Sequence, residues 1–382
     1  MIENLSQKSL WLKHFEEMPD PRIDRKKQHL LMDILVMTLC AVICGAMSWE
    51  SIEDYGLKQE GWLKTFLALP NGIPSHDTIA RVFSLLDAKQ FSLCFMEWMK
   101  EVVGRLKGVV AIDGKRLRAA SYGREPIHLV NAFAAANGVS LGQYKVKDKS
   151  NEITAIPELL KLLSLDGCII TIDAMGCQKE IAAKIIEAKA DYVLGLKGNQ
   201  GKLLEDVQLY MDTLHNNGLK KVIRDHKETV DKGHGRFEKR YYLVTDDIDW
   251  LEEKSNWKGL HSIGMVISER TIGEITTVER RYYLSSLPAK ADVFSHAVRQ
   301  HWSIENRLHW VLDVTFNEDR QRMNTKYAAQ NLAVIRQSAL NLLRMDHGTK
   351  RMSMKRKQFC AALDNQYLQS LIMQCDRSNF NA

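Results

Sequence analysis

The chain has 382 residues, of which 45% are hydrophobic and 26% charged, a composition typical of a soluble globular protein. Lys and Arg number 53 against 47 Asp and Glu, so the net charge of +6 permits a polyanionic partner without demonstrating one. The longest charge-free apolar run, residues 34–47, is too short to span a bilayer, and we recognise no amino-terminal signal peptide. We therefore expect a cytoplasmic protein without a membrane segment. Its seven scattered cysteines form no CxxC pair and are expected to be free thiols.

Residues 1–105 predict an all-helical amino-terminal domain. Apolar residues recur at helical spacing over three stretches, residues 30–46, 51–67 and 78–99. Ser75 follows a Pro/Gly-rich break and stands at the N-cap position ahead of Ile79. Two interpretations stay open for this unit. It is a helix-turn-helix that reads DNA, or it is a plain packed helical pair, which we favour slightly. The polar residues at the exposed start of the second helix are Ser75, His76, Thr78 and Arg81.

Between residues 106 and 218 the pattern changes to strands that alternate with helices. A first strand ends at Asp113, and Asn137-Gly138 joins strands 128–136 and 139–147 as a hairpin. A helix, a strand, a helix and a further strand follow, over residues 153–165, 168–173, 178–190 and 192–197. This order predicts an α/β fold with a ribonuclease H-like mixed sheet, in which the two strands that end in aspartate are neighbours at the sheet centre.

The rest of the chain predicts an interruption and then a return to helices. Residues 219–288 form a β-rich insertion with short strands expected over 222–224, 240–244, 264–268 and 281–284. Residues 289–345 complete the core with one long helix over 292–316 and another over 326–344. Residues 346–382 form a basic carboxy-terminal tail, which can add sequence-independent affinity for nucleic acid.

Two aspartates carry the first chemical signal. Asp113 and Asp173 each follow an apolar, β-branched run that is typical of a covered central strand. Ligands bind at the carboxyl edge of such sheets, although either aspartate alone would be read as a turn or an N-cap. Together with a glutamate on a late helix, they predict a site for two Mg²⁺ or Mn²⁺ ions that transfers phosphoryl groups on a nucleic-acid backbone.

The glutamate is Glu305, which lies in a stretch with an unusual polar and aromatic pattern. His301, Glu305 and His309 recur every four residues and share one helical stripe. An adjacent stripe is formed by Trp302, Asn306 and Trp310. A zinc site is disfavoured because HExxH spacing is absent. Histidine and tryptophan beside a metal-binding carboxylate suit phosphate binding and stacking on unpaired bases. Rival third carboxylates are Asp313, Glu318 and Asp319.

Further DNA-binding residues are predicted at the same sheet edge, where positive and amide side chains can hold phosphate oxygens. They follow the first aspartate, open the helix after the second, or end the fifth strand: Lys115, Arg118, Lys179, Lys197 and Asn199. The alternative for each one is a solvated loop residue.

Further motifs lie along nearly the whole chain, over residues 39–46, 72–81, 111–115, 150–157, 171–178, 197–201, 234–236 and 281–283 and within 301–314. In these motifs the chain resembles the H-repeat-associated (Rhs-element-associated) transposases, a DDE-type branch of bacterial insertion-sequence transposases. The resemblance implies a ribonuclease H-like core with a β-rich insertion and Asp113, Asp173 and Glu305 as the metal-binding triad. It further implies DNA cleavage at element ends followed by strand transfer.

The resemblance also implies double-stranded DNA partners, namely terminal inverted repeats and target DNA, with a homodimer assembled on them and nucleoid association when bound. The wider group has a tyrosine and an arginine before the glutamate and a lysine after it. Here Val298, His301 and Leu312 stand at those positions, which leaves phosphate binding to Arg299, His301 and Asn306. Two alternatives stay open: an inactive DNA-binding remnant of such an enzyme, and a simple metal-dependent nuclease.

Overall fold

The computed structural model describes residues 9–117, 127–146, 152–216, 225–233, 235–321, 325–346, 348 and 352–373. Within these ranges Cys40, Cys44, Cys94, Cys168, Cys177 and Cys360 are free thiols, as predicted. In the same ranges, no helix combines the length and the apolar character needed to cross a membrane.

The amino-terminal part is helical, as predicted. Its helices are α1 (Leu10–Glu16), α2 (Leu31–Ile43), α3 (Trp49–Leu63), α4 (His76–Leu85) and α5 (Ala88–Val103). The hydroxyl of Ser75 accepts the Thr78 N–H at 3.3 Å, so the predicted cap begins α4. The stretch 78–99, with its helical spacing of apolar residues, is divided between α4 and α5, because the Asp87 carboxylate accepts the Gln90 N–H at 2.8 Å and begins a new helix.

The sheet begins with the predicted strand order. Its first strands and the helices between them are β1 (Gly108–Leu117), β2 (Ile127–Ala134), β3 (Val139–Lys145), α6 (Glu152–Leu162), β4 (Cys168–Ile172), α7 (Lys179–Glu187), β5 (Asp191–Leu196) and α8 (Gly201–Asn216). β1, β2 and β3 are antiparallel, whereas β4 pairs parallel with β1 and β5 parallel with β4. The predicted adjacency of the two aspartate-bearing strands is therefore confirmed.

The β-rich insertion continues this sheet. Its strands are β6 (Asp225–Gly233), β7 (Arg236–Thr245), β8 (Ser262–Ile272) and β9 (Ile275–Ser285). Because β9 pairs with β5, one nine-stranded sheet runs in the order β3-β2-β1-β4-β5-β9-β8-β7-β6. The strands are longer than predicted, and the predicted strand over 222–224 lies outside the described residues.

The carboxy-terminal part differs from the prediction of one long helix. Its elements are α9 (Ala291–His301), a π-helical turn (Glu305–His309), α10 (Trp310–Val314), α11 (Ala328–Met345), α12 (Met354–Leu363) and α13 (Asn365–Ile372). The helix predicted over 292–316 forms over most of that range, but a turn at Trp302 and the π-helical turn divide it into α9 and α10. The helix predicted over 326–344 is confirmed as α11. Within the predicted basic tail, residues 354–372 form α12 and α13.

Helix α11 joins the two halves of the molecule. Almost every residue of α11 is buried, and the helix packs against β3 as well as against α2, α4 and α5. Buried amide side chains on α11 form hydrogen bonds to both neighbours. Gln337 donates to the side chains of Asn131 at 3.0 Å and Gln143 at 2.8 Å on the sheet. Asn331 donates to the Phe83 carbonyl of α4 at 2.8 Å. These directional bonds fix the register of the helix between the sheet and the amino-terminal helices.

Candidate active site

The register of two parallel strands sets Asp113 and Asp173 side by side. The last parallel pair joins Ile112 of β1 to Ile172 of β4, and each aspartate directly follows one of these two paired residues. β4 ends there, because the Asp173 carboxylate accepts the Met175 N–H at 3.1 Å and caps a short turn. The expected end of the first strand at Asp113 is wrong, since β1 continues to Leu117 along β2.

Glu305 reaches Asp113 from the helical side of the sheet. α9 packs on β1 and β4, and the π-helical turn that follows begins with Glu305. Carboxylate oxygens of Asp113 and Glu305 and a ring nitrogen of His309 lie within 4.8 Å of one another. The Nδ1 atom of His309 is 3.5 Å from each carboxylate, and this histidine is only 5% exposed. Turns of this kind inside α-helices are frequent at functional sites.

The electrostatics of this group indicate crowded negative charge. Burial, followed by the hydrogen bond and charge of Glu305 and the charge of Asp173, raises the pKa of Asp113 well above its ordinary value. The hydrogen bond from His309 lowers the pKa of Glu305. Asp173 lies outside the group of three but close enough for its charge to reach Asp113.

These residues fit a divalent cation. Carboxylate oxygens are the ligands that Mg²⁺ and Mn²⁺ prefer, and a cation would offset the burial and the neighbouring negative charge that raise the pKa of Asp113. The Nε2 atom of His309 is buried and has no hydrogen-bond partner among the described residues. The histidine therefore faces the two carboxylates through Nδ1 only.

We expect the metal-free protein to lose stability as pH rises. Asp113 ionises near 3.8 when unfolded, whereas the folded protein keeps this proton to higher pH, so above that value the unfolded state binds fewer protons. The melting temperature should be lower at about pH 8 than at about pH 6, and Mg²⁺ should raise it more at the higher pH. Calorimetry with and without Mg²⁺ checks this result. An equal Mg²⁺ effect at both pH values would contradict it.

Histidine and tryptophan side chains form the rim of the site. His301 Nδ1 is 3.1 Å from the Thr171 hydroxyl on β4, and burial lowers the pKa of this histidine. Trp302 and Trp310 are 41% and 58% exposed. The Asn306 amide donates to the Trp302 carbonyl at 3.3 Å. Both tryptophan side chains are therefore partly exposed to solvent.

Lys115 is placed differently from the other predicted DNA-binding residues. It is 6% exposed, and its ammonium contacts the Asp313 carboxylate, lies 3.5 Å from Glu318 and donates to the His309 carbonyl at 3.4 Å. A phosphate contact by Lys115 would require this buried network to open. Asp313 was a rival for the third metal-binding carboxylate, but its carboxylate forms an ion pair with Lys115.

The remaining predicted basic and amide residues lie on the surface around the site. Lys179 pairs with Glu253 at 2.6 Å, and Arg299 pairs with Asp231 at 3.3 Å. Lys197 is exposed, and the Asn199 amide donates to the Ala174 carbonyl at 2.7 Å, which holds the loop that carries Asp173. Arg118 lies outside the described residues.

A cleft of about 540 Å³ lies beside Asp173, between α9 and strands β4, β5 and β9. Residues of the cleft that can contact a polyanion or a base are Lys197, Arg280, Arg281, Tyr283, His301 and Trp302. The guanidinium of Arg281 stacks on the Trp302 ring, 4.4 Å from its centroid. Arg281 lies in a matched motif but was not predicted as a site residue, because its contact with Trp302 forms only where β9 lies beside the end of α9.

Comparison with known proteins identifies the family of the chain. Residues 104–342 match the family described as Transposase DDE domain, and residues 12–99 match the family described as DDE_Tnp_1-associated. The chain belongs to the DDE transposase domain family, and the resemblance seen in the sequence is confirmed.

Individual relatives cover most of the chain. The chain is 43% identical over 377 residues to "Putative transposase YncI" of Escherichia coli O157:H7, and this match covers 97% of the chain and 96% of that protein. It is 42% identical over 373 residues to "H repeat-associated putative transposase YhhI" of Escherichia coli K12, with 94% and 97% covered. A shorter relative of that strain, "Inactive transposase YbfQ", is 51% identical over 73 residues, or 19% of this chain and 87% of its own.

Among solved structures, the chain is similar to the piggyBac transposase in a cryo-EM synaptic complex with hairpin DNA. The TM-score is 0.45 at 12% sequence identity, and the match covers 100% of this chain and 79% of that one.

Proposed function

We propose that this protein is an active, metal-dependent DNA transposase with a ribonuclease H-like core, which cleaves DNA at the ends of its element and joins them to target DNA. One observation carries the proposal. Two aspartates follow the last paired residues of adjacent parallel strands, and Glu305 approaches the first of them from a helix. Membership of the DDE transposase domain family supports the same chemistry.

In this proposal Asp113, Asp173 and Glu305 hold two Mg²⁺ or Mn²⁺ ions. When bound, such ions activate the attacking oxygen and stabilise the leaving oxygen of an in-line displacement. The protein contributes by fixing the carboxylates in a partly buried position before DNA arrives, with His309 between two of them. Water first attacks the phosphodiester at the element end and breaks its P–O3′ bond, which leaves a 3′ hydroxyl on the element and a 5′ phosphate on the flanking DNA. That hydroxyl then attacks a phosphodiester of the target, so that the element end is joined to the target's 5′ phosphate and the target's 3′ hydroxyl leaves.

The rim residues provide the proposed contacts to double-stranded DNA. Exposed Trp302 and Trp310 can stack on bases that are unpaired at the cleaved end, and Lys197 can neutralise a phosphate. Lys179, Asn199, Arg299, His301, Asn306 and His309 border the same region. Because both element ends must be processed together, we propose that a homodimer assembles on the terminal inverted repeats.

Cleavage of a labelled duplex that carries the element's own end tests this proposal. With Mg²⁺ or Mn²⁺, the wild-type protein should cut at the element boundary, whereas Asp173→Asn should bind the duplex equally and not cut. Specific binding without cleavage by either protein would contradict catalysis and favour a DNA-binding remnant. Cleavage without joining to a target duplex would favour a simple nuclease.

A further inference from the structure

A fourth carboxylate, that of Glu152, lies beside the proposed metal site. Glu152 is the first residue of α6, and its side chain packs against the backbone of Gly114, the residue that follows Asp113. A Cβ atom on Gly114 would lie 2.6 Å from the carboxyl carbon of Glu152 and 2.8 Å from its Oε2. The carboxylate therefore fills the space that any other residue at position 114 would need.

The approach of Glu152 complements that of Glu305. Successive residues of a strand face opposite sides of the sheet, so Asp113 faces Glu305 while Gly114 faces Glu152. Because the parallel pairing of β1 and β4 ends at Ile112 and Ile172, β1 has no paired neighbour on that side beyond this level. Glu152 thus lies next to the part of β1 that extends beyond its pairing with β4, one residue after Asp113.

Glu152 lies within reach of the charge of Asp173. After burial, the charge of Asp173 is the other cause that raises the pKa of Glu152. Among the described residues, no Lys or Arg side chain forms an ion pair with Glu152, in contrast to Asp313 and Glu318 in the neighbouring network. A partly buried carboxylate that feels the charge of Asp173, and that no described Lys or Arg neutralises, is a costly arrangement unless a cation binds nearby.

We propose that Glu152 is a fourth carboxylate of the metal site and that Gly114 is required to admit it. The inference rests on the proposed function and adds one residue to it. Two divalent ions carry four positive charges, whereas Asp113, Asp173 and Glu305 supply three negative ones. Glu152 brings the fourth charge from the opposite side of β1, so that the site holds its ions before a DNA phosphate arrives.

Binding of Mn²⁺ to the DNA-free protein, measured by isothermal titration calorimetry, tests this role without any activity readout. Glu152→Gln keeps the shape of the side chain and should weaken Mn²⁺ binding roughly tenfold. Gly114→Ala leaves Glu152 in the chain but displaces its carboxylate, so the same loss is expected. The double variant should show no further loss, because both changes remove one ligand. Glu180→Gln, an exposed acid in the first turn of α7, is the matched control and should bind as the wild type does.

The outcomes separate this inference from the proposed function. If Glu152→Gln binds Mn²⁺ as the wild type does while Asp113→Asn does not bind it, the role of Glu152 is overturned and the triad stands. If Asp113→Asn also binds as the wild type does, the metal site itself is overturned. Circular dichroism confirms folding, and the isosteric Glu152→Gln variant decides the matter should Gly114→Ala fail to fold.

Discussion

Replacing Asp113 by asparagine should abolish cleavage and, at the same time, stabilise the metal-free protein. Asparagine keeps the shape of the side chain but removes the charge that lies beside Glu305 and Asp173. The loss of a proposed metal ligand should reduce the cleavage rate by about a thousandfold or more. The loss of buried repulsion should raise the melting temperature near neutral pH, because the wild type must keep an unfavourable proton or an unfavourable charge there.

The opposite signs of these two effects make the prediction specific. A residue with a purely structural role would lose activity and stability together. Asp166→Asn is a matched control, because Asp166 is exposed in the loop before β4, at the other end of that strand. The Asp166→Asn variant should have the cleavage rate and the melting temperature of the wild type. An Asp113→Asn variant that melts at a lower temperature than the wild type near pH 8 would contradict the account of crowded charge.

Replacing Lys115 by methionine should destabilise the fold strongly. The Lys115 ammonium lies between Asp313 and Glu318, and Glu318 is almost completely buried. Without the Lys115 ammonium, buried Arg336 would be a remaining cation that interacts with the carboxylates of Asp313 and Glu318. Removing one partner of a buried ion pair costs about 3–5 kcal/mol of unfolding free energy. The loss of the bond to the His309 carbonyl should also move the turn that carries Glu305, so cleavage should fall.

Urea unfolding of the metal-free protein measures this effect. Arg116→Met is the matched control, because Arg116 is the next residue on β1 but is exposed, and its unfolding free energy should change little. The alternative role for Lys115, a direct phosphate contact, predicts another pattern. Unchanged stability with weaker and less salt-dependent DNA binding would support that role and contradict the structural one.

The sequence predicted the part of the site that depends on strand periodicity. Apolar runs that end in Asp113 and Asp173 identify central strands, and the hairpin at Asn137-Gly138 fixes the order in which they pair. Adjacency of β1 and β4 follows from these local signals and is confirmed by their register. The free thiols and the capped start of α4 were predicted for the same reason, since each depends on a few neighbouring residues.

Features that depend on distant residues could not be predicted in this way. The π-helical turn at Glu305 has no local sequence signal, and it forms where the helix must present Glu305 and His309 to β1. The partners of Lys115 lie almost two hundred residues away, so its burial is invisible in the sequence. Glu152 could not be predicted as a site residue from its motif alone, because its contact with Gly114 exists only once α6 packs against the sheet.

The most direct test of the account is an anomalous difference map from crystals of the protein with an element-end duplex and Mn²⁺. The account predicts two Mn²⁺ peaks, both bounded by the carboxylates of Asp113, Asp173 and Glu305. A map with no peak at these three carboxylates, although Mn²⁺ is bound elsewhere in the crystal, would contradict it.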